Sequence, residues 1–148
     1  MPANPVARLA NSITVKRLRR SGSLEGPTLV ALTTVGARSG ASRTTPVMAF
    51  PAPAGEWLVV ASAGGGPRNP GWAHNLEAHP TQVTVERGGE RRECTAVRLY
   101  GEDRAAALRV VYAMAPRFQG YQKRTEREIP VFRLTPRTAP AAAPGEPG

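Results

Sequence analysis

Cysteine is nearly absent from this chain: Cys94 is the only one in 148 residues. One thiol excludes an internal disulfide. It sits in a strand-like run with no histidine beside it, so it reads as a small buried residue rather than a redox centre. Aromatic residues make up only 5% of the chain. The basic residues are not interleaved with them, as a base-stacking surface would require, and no compact nucleic-acid-binding motif is present. Nucleic acid is therefore not an expected partner. Long hydrophobic runs are missing too. No stretch approaches the ~18–20 apolar residues of a membrane span. The N-terminus lacks the apolar run of a secretory signal, so a cytoplasmic location is the default expectation. Acidic residues are outnumbered, 11 against 20 lysines and arginines, for a net charge of +9. That excess favours anionic partners without choosing among nucleic acid, anionic lipid and a polyanionic small molecule. With 41% hydrophobic residues, the length suits one domain with a real core.

The most informative stretch runs from Leu32 to Pro46. Apolar residues 29–32 lead in and residues 47–50 lead out, a pattern of strand, tight loop and strand. The loop region carries Gly36 and Gly40, the hydroxyls of Thr33, Thr34 and Ser39, and the guanidinium groups of Arg38 and Arg43. Glycines let consecutive N–H groups face one concavity, and arginines match phosphate or carboxylate oxygens. One reading is a loop that grips an anion. The other is a basic hairpin with ordinary turn glycines.

Before it, Asn4-Pro5 reads as a helix start, with Val6, Leu9, Ala10 and Ile13 on one face. That helix ends in Lys16, Arg17, Arg19 and Arg20. The cluster is either a solvated cationic last turn or a clamp for an anionic tail or lipid surface. Strands are expected at 29–34 and 43–50. Pro46 places the second at an edge or a bulge, since proline cannot donate to a ladder. A third strand, 57–61, is apolar on both faces. Residues 62–66 then form a glycine-rich loop that opens onto a helix at about 70–78, with Asn69 as N-cap and Pro70 at the first helical position. It is neither a Walker A loop nor a dinucleotide fingerprint. His74 and His79 lack partners for a metal cluster and read as solvent-facing or capping residues.

Further on, residues 81–86 alternate as a strand with Val83 and Val85 on one face. Gly88-Gly89 is a hairpin turn, and 90–100 returns with Val97 and Leu99 on one face. A helix starts at Gly101, with Ala105, Leu108, Tyr112 and Ala115 as its apolar stripe. A short helix follows within 117–128, and a last strand at 130–134. From Pro136 the chain is mostly Pro, Ala and Gly and reads as disordered. Six strands joined largely by hairpins predict an α+β fold, a six-stranded antiparallel β-barrel with flanking helices. The expected division is a basic helix and linker at 1–26, the barrel at 27–136, and a tail at 137–148.

Three motifs resemble the deazaflavin (coenzyme F-420)-dependent nitroreductase and quinone reductase family of the flavin-binding split β-barrel superfamily. The first is Leu32-Thr33-Thr34 with Gly36, Ser39-Gly40, Arg43 and Pro46. The second is Ala61-Ser62 with Gly64-Gly65, then Asn69-Pro70, Trp72 and Asn75-Leu76. The third is Tyr121-Gln122, then Thr125, Arg127 and Ile129-Pro130. The match extends from about residue 28 to residue 136. It implies a split β-barrel that passes a hydride from reduced coenzyme F-420 to a quinone, nitroaromatic or similar planar acceptor. It also implies roles. Arg38 and Arg43 would hold the coenzyme phosphate with the backbone around Ser39 and Gly40. Lys16 and Arg17 would meet the oligoglutamate tail. Thr45, Pro46, Ser62, Gly64, Gly65, Trp72 and Asn75 would line the cofactor channel. Ser62 or Tyr121 would hydrogen-bond the developing anion or supply a proton through water. No metal is needed. The best-known members have lysine where this chain has Ala63, and tyrosines where it has Ala115 and Phe118, so an altered acceptor pocket is expected. The alternatives are FMN as cofactor, a barrel that binds an anionic ligand without turnover, and peripheral membrane contact through the basic helix. A homodimer is suggested by analogy with the superfamily alone.

Overall fold

The computed structural model describes residues 26–137. The expected basic helix with Lys16 and Arg17, and the expected tail, lie outside the described residues. Six strands form a closed barrel: β1 (Thr28–Val35), β2 (Ser42–Ala52), β3 (Glu56–Val60), β4 (Val83–Arg87), β5 (Glu90–Leu99) and β6 (Val131–Pro136). Their order around the barrel is β1-β2-β3-β6-β5-β4, and every pairing is antiparallel. Among the described residues three α-helices accompany them: α1 (Gly71–Ala78), α2 (Gly101–Met114) and α3 (Arg117–Lys123). The expected six-stranded barrel with flanking helices is what forms.

Alternation along the strands builds two separate cores. One side of every strand faces the barrel interior, where Leu32, Ala49, Val59, Val83, Cys94 and Leu134 meet. The other side of β2, β3, β5 and β6 carries Phe50, Leu58, Val60, Leu99 and Val131, which pack under α2 and α3. This explains why β3 reads as apolar on both faces: Trp57 and Val59 point in, Leu58 and Val60 point out under the helices. Helix α1 sends Ala73 and Leu76 into the barrel core, and so is fixed at the barrel's end, next to β1.

Three local expectations are refined. Of the expected α2 stripe, Leu108 and Ala115 are buried and Tyr112 packs half-buried on the same core, while Ala107 and Val111 are buried in place of Ala105. Its alanine run and paired valines leave the apolar face ambiguous in sequence. Val97 shares its side of β5 with Leu99, but α2 and α3 cover only Leu99, and Val97 stays 43% exposed. Pro46 lies in an internal strand of a closed barrel, yet the reason for expecting an edge holds locally. Pairing with β3 covers only Ala49–Ala52, so at Pro46 β2 has β1 alone beside it, opposite Ala31. The Gly88-Gly89 turn forms as expected, with φ of +56° and +87°, the left-handed geometry that two-residue hairpins favour.

Candidate active site

The loop between β1 and β2 closes on itself. The Gly36 N–H donates to the Ala41 carbonyl at 2.7 Å, and the Gly40 N–H to the Gly36 carbonyl at 3.0 Å. The Ser39 hydroxyl accepts from the Ala41 N–H at 3.0 Å. A Cβ at Gly36 would come 2.5 Å from Ser39 Oγ and 3.3 Å from the Ala41 carbonyl, so a side chain there would push the Ser39 hydroxyl out of its bond to the Ala41 N–H. Among the described residues the N–H groups of Arg38 and Ser39 have no protein acceptor. They remain available to a ligand.

Asn75, on α1, fastens this loop to the barrel. Its Nδ2 donates to Thr34 Oγ1 at 3.0 Å, and its Oδ1 accepts from the Ala37 N–H at 2.8 Å. Thr34 is only 2% exposed, so its hydroxyl requires that partner. Between loop and helix opens a groove of about 780 Å³. Gly36, Ala37, Arg38 and Ser39 form one wall, Arg43 and Thr45 of β2 the floor, and Pro70, Gly71, Trp72, His74 and Asn75 the other wall. No aspartate or glutamate lines it. Arg38 and Arg43 take part in none of the ion pairs among the described residues. The groove therefore carries two uncompensated guanidinium groups.

The glycine loop after β3 runs on through Asn69 into Pro70 and Gly71 of the groove wall. Arg127 holds it by the carbonyl side. Its Nε donates to the Gly66 carbonyl at 2.9 Å, Nη2 to the Ser62 carbonyl at 2.8 Å, and Nη1 to the Ala61 carbonyl at 3.3 Å and to Asn69 Oδ1. All its partners are neutral, and burial lowers its pKa. Arg124 adds a longer bond to the Gly64 carbonyl at 3.4 Å. Gly65, at φ +83°, presses on α3: a Cβ there would meet the Tyr121 carbonyl and Arg124 Cβ, each at 2.9 Å. The Tyr121 ring stands edge-on to Phe118, 5.1 Å between centroids, with the Arg124 guanidinium 5.8 Å from its own centre.

The expected site residues thus fall into two neighbouring groups. Arg38, Ser39, Arg43, Thr45, Trp72 and Asn75 line one groove. Ser62, Gly64, Gly65 and Tyr121 belong to the glycine loop and its support, and do not line that groove. Gly40 and Pro46 lie in the same loop and strand as the groove residues without lining it; Gly40, at φ +73°, serves the turn. Asn69 is not the cap of α1. Its side chain is engaged by Arg127, and Pro70 occupies the N-cap position. Ala115 and Phe118 are buried under α2 and α3, with Phe118 edge-on to Phe50 at 5.2 Å. His74 is exposed, as expected, but it lines the groove, which the sequence reading did not foresee. No cluster of three or more His, Cys, Asp or Glu that could hold a metal occurs among the described residues.

The family of F-420H(2)-dependent quinone reductases matches residues 9–136. The chain belongs to that family. It is an oxidoreductase, and coenzyme F-420 is its cofactor. A curated F-420H(2)-dependent quinone reductase of Mycobacterium tuberculosis is 40% identical over 114 residues, 75% of each chain. Among solved structures, an F-420H2-dependent reductase named FDR-A superposes with a TM-score of 0.64 at 38% identity, covering 72% of this chain and 92% of that one. A structure described as a domain-swapped dimer gives a TM-score of 0.65 at 32% identity, covering 88% and 99%. The split-barrel fold of the family is the fold seen here. The FMN alternative gains nothing from the family assignment.

Proposed function

We propose that this reductase transfers a hydride from reduced coenzyme F-420 to a quinone or similar planar acceptor. The observation that carries the reading is the groove between the β1–β2 loop and α1. It offers Arg38, Arg43 and two free backbone N–H groups, with no acid to compete for them. That donor set suits a phosphate-bearing coenzyme. When bound, the deazaflavin supplies a hydride from a ring carbon. The chain's own work is to bind and orient. Arg38 and Arg43 neutralise the phosphate, the Ser39 hydroxyl and the N–H groups of Arg38 and Ser39 fix its position, and Trp72 offers an apolar wall. Thr45 and Asn75 complete the channel, and Asn75 does so chiefly by holding the loop in shape. Ser62 and Tyr121, on the neighbouring loop and helix, are the groups assigned to the acceptor's developing charge.

A fluorescence titration with coenzyme F-420, run beside FMN, tests the reading. Saturable binding selective for the deazaflavin, followed by oxidation of the reduced coenzyme by a quinone, is the expected result. Preference for FMN would overturn it. Reduction of nitroaromatics is the weaker part of the acceptor range, because Ala115 and Phe118 are packing residues where tyrosines are expected to meet the acceptor. Dimerisation is proposed by analogy with the domain-swapped relative, and light scattering of the native protein tests it. Contact with a membrane surface rests on Lys16–Arg20, outside the described residues. Among those described, no helix is long and apolar enough to cross a membrane.

A further inference from the structure

The barrel opens again at the end away from the groove. Strand β1 runs from Thr28 up to the β1–β2 loop, and its pairing of Ala31 with Glu86 sets the β4–β5 turn back beside the start of β1. The β2–β3 turn lies at that same far end. A cavity of about 490 Å³ opens there, within the ~300–1,000 Å³ of small-molecule sites. Trp57, Val85 and Pro136 give it an apolar lining, and Arg87 and Arg92 bring positive charge. Arg87 is the unusual member. It follows Val83 and Val85 on the inward side of β4, where alternation places core residues. A guanidinium taken out of water is costly unless it is paired and hydrogen-bonded. Here Nη1 is shut off from solvent and has no partner among the described residues. Nη2 reaches Glu90 Oε1 only at 3.7 Å, beyond hydrogen-bond length. The Trp57 ring lies under one face, 5.3 Å from Cζ to the ring centre, but a ring face leaves the in-plane donors unmet. Burial lowers the Arg87 pKa. Arg92 turns to the same carboxylate, Nη2 to Glu90 Oε2 at 3.9 Å. Two guanidinium groups thus share one carboxylate, and neither is hydrogen-bonded to it. The other charged groups of the lining are occupied. Glu56 accepts from the Thr135 hydroxyl at 3.2 Å and faces Arg133, while Arg137 is held by Glu93 and the Thr81 carbonyl. A second orphan belongs to this end of the barrel. Thr28, on the inward side of β1 and 2% exposed, has a hydroxyl with no partner among the described residues. At the groove end, Thr34 of the same strand has Asn75.

We propose that this far mouth of the barrel is a binding site for a small organic carboxylate, separate from the groove and held by Arg87 and Arg92. Two guanidinium groups suit the two oxygens of one carboxylate. The ligand's apolar body covers Val85, Pro136 and Trp57, which an inorganic anion would leave bare. Because Nη1 is shut in, binding turns the Arg87 guanidinium toward the cavity. Glu90, whose side chain is 62% exposed, swings into water and gives up its place between the two arginines. The site does not depend on the coenzyme reading.

Nitrogen-15 spectra of the native protein, titrated with benzoate, test this directly. The Arg87 Nε–H and Trp57 indole N–H signals should move together and saturate. Benzylamine, the same ring with the opposite charge, should leave them in place. Equal movement with benzylamine would overturn the proposal, because Glu56 and Glu90 would then make the mouth a cation site. Movement confined to the Arg38 and Ser39 amides would put the carboxylate in the groove and overturn it too. If no signal moves at either place, water fills the mouth and the proposal falls. Substitution gives a second readout. Arg87→Gln should weaken benzoate binding about tenfold or more, the loss of a charge-assisted contact. Arg92 is 60% exposed, so Arg92→Gln should fold as the native protein does and weaken binding about threefold. Native affinity in both variants would count against the site. Glu146, nine positions after Arg137, lies outside the described residues. Glu146→Gln without benzoate should leave the Arg87 signal unmoved. A shift there would mean that the chain's own carboxylate fills the mouth, and would overturn a site for a free ligand.

Discussion

Asn75 Nδ2 and Thr34 Oγ1 lie 3.0 Å apart, and this one bond ties α1 to the end of β1 at the mouth of the groove. The other half of the Asn75 amide takes the Ala37 N–H. Both halves are thus used within the protein. We expect Asn75→Ala to cost stability, since it leaves the Thr34 hydroxyl buried without a partner, a loss of about 1–3 kcal/mol. Coenzyme affinity should fall as well, because Arg38 and Ser39 lose their fixed position. Thermal unfolding and a binding titration check the pair. A variant of native stability would remove Asn75 from this role.

Arg43 lies on the groove floor without an ion-pair partner among the described residues. Arg43→Ala therefore breaks no internal pair and should fold as the native protein does. Its effect should appear in coenzyme binding, weakened about tenfold or more by loss of a charge-assisted contact to phosphate. The salt dependence of binding should also become shallower, because one exposed charge fewer is screened. Unchanged affinity at low salt would take Arg43 out of the site.

The barrel was legible in the sequence because its signals are local. The Gly88-Gly89 turn, the alternation in β4 and the doubly apolar β3 each dictate a shape that needs no distant partner. The groove was legible in part for the same reason: glycines at 36 and 40 and arginines at 38 and 43 lie in one loop. What was not legible depends on contacts across long separations. Asn75 meets residues 38 and 41 positions away, and Arg127 meets carbonyls more than 60 positions away. Arg127 stood in a recognised motif, yet nothing in its neighbourhood says that its partners are backbone carbonyls. The α2 stripe was legible only in part, for the opposite reason. Its alanines and valines allow more than one buried face, and the barrel decides among them.

Arg127 offers a prediction with a built-in control. Four of its N–H donors are engaged by three carbonyls and Asn69 Oδ1. Lysine keeps the charge but has three donors on one atom and no planar fork. Arg127→Lys should therefore recover only part of what Arg127→Met loses. For the methionine variant we expect a fall in kcat of about tenfold or more, with a smaller change in coenzyme affinity, since the phosphate groove is built from other elements. Steady-state kinetics beside a binding titration separate the two. Equal losses in both quantities would mean that the loop and the groove collapse together.

Cys94 is fully buried inside the barrel, and burial raises its thiol pKa from 9.0 to about 11. The folded thiol thus keeps its proton to higher pH than the unfolded one. Stability contributed by this group is complete below about pH 9 and is lost as pH rises toward about 11. The thiolate is the reactive form, so Cys94 in the native protein should resist a thiol reagent through the neutral range and react promptly once the chain is unfolded. The pH dependence needs a reference, because other groups titrate in the same interval. The difference in unfolding free energy between the native protein and Cys94→Ala should be constant from pH 6 to 8 and should shrink between pH 9 and 11. A difference that stays level across that upper interval would show that Cys94 ionises alike in the folded and unfolded chain.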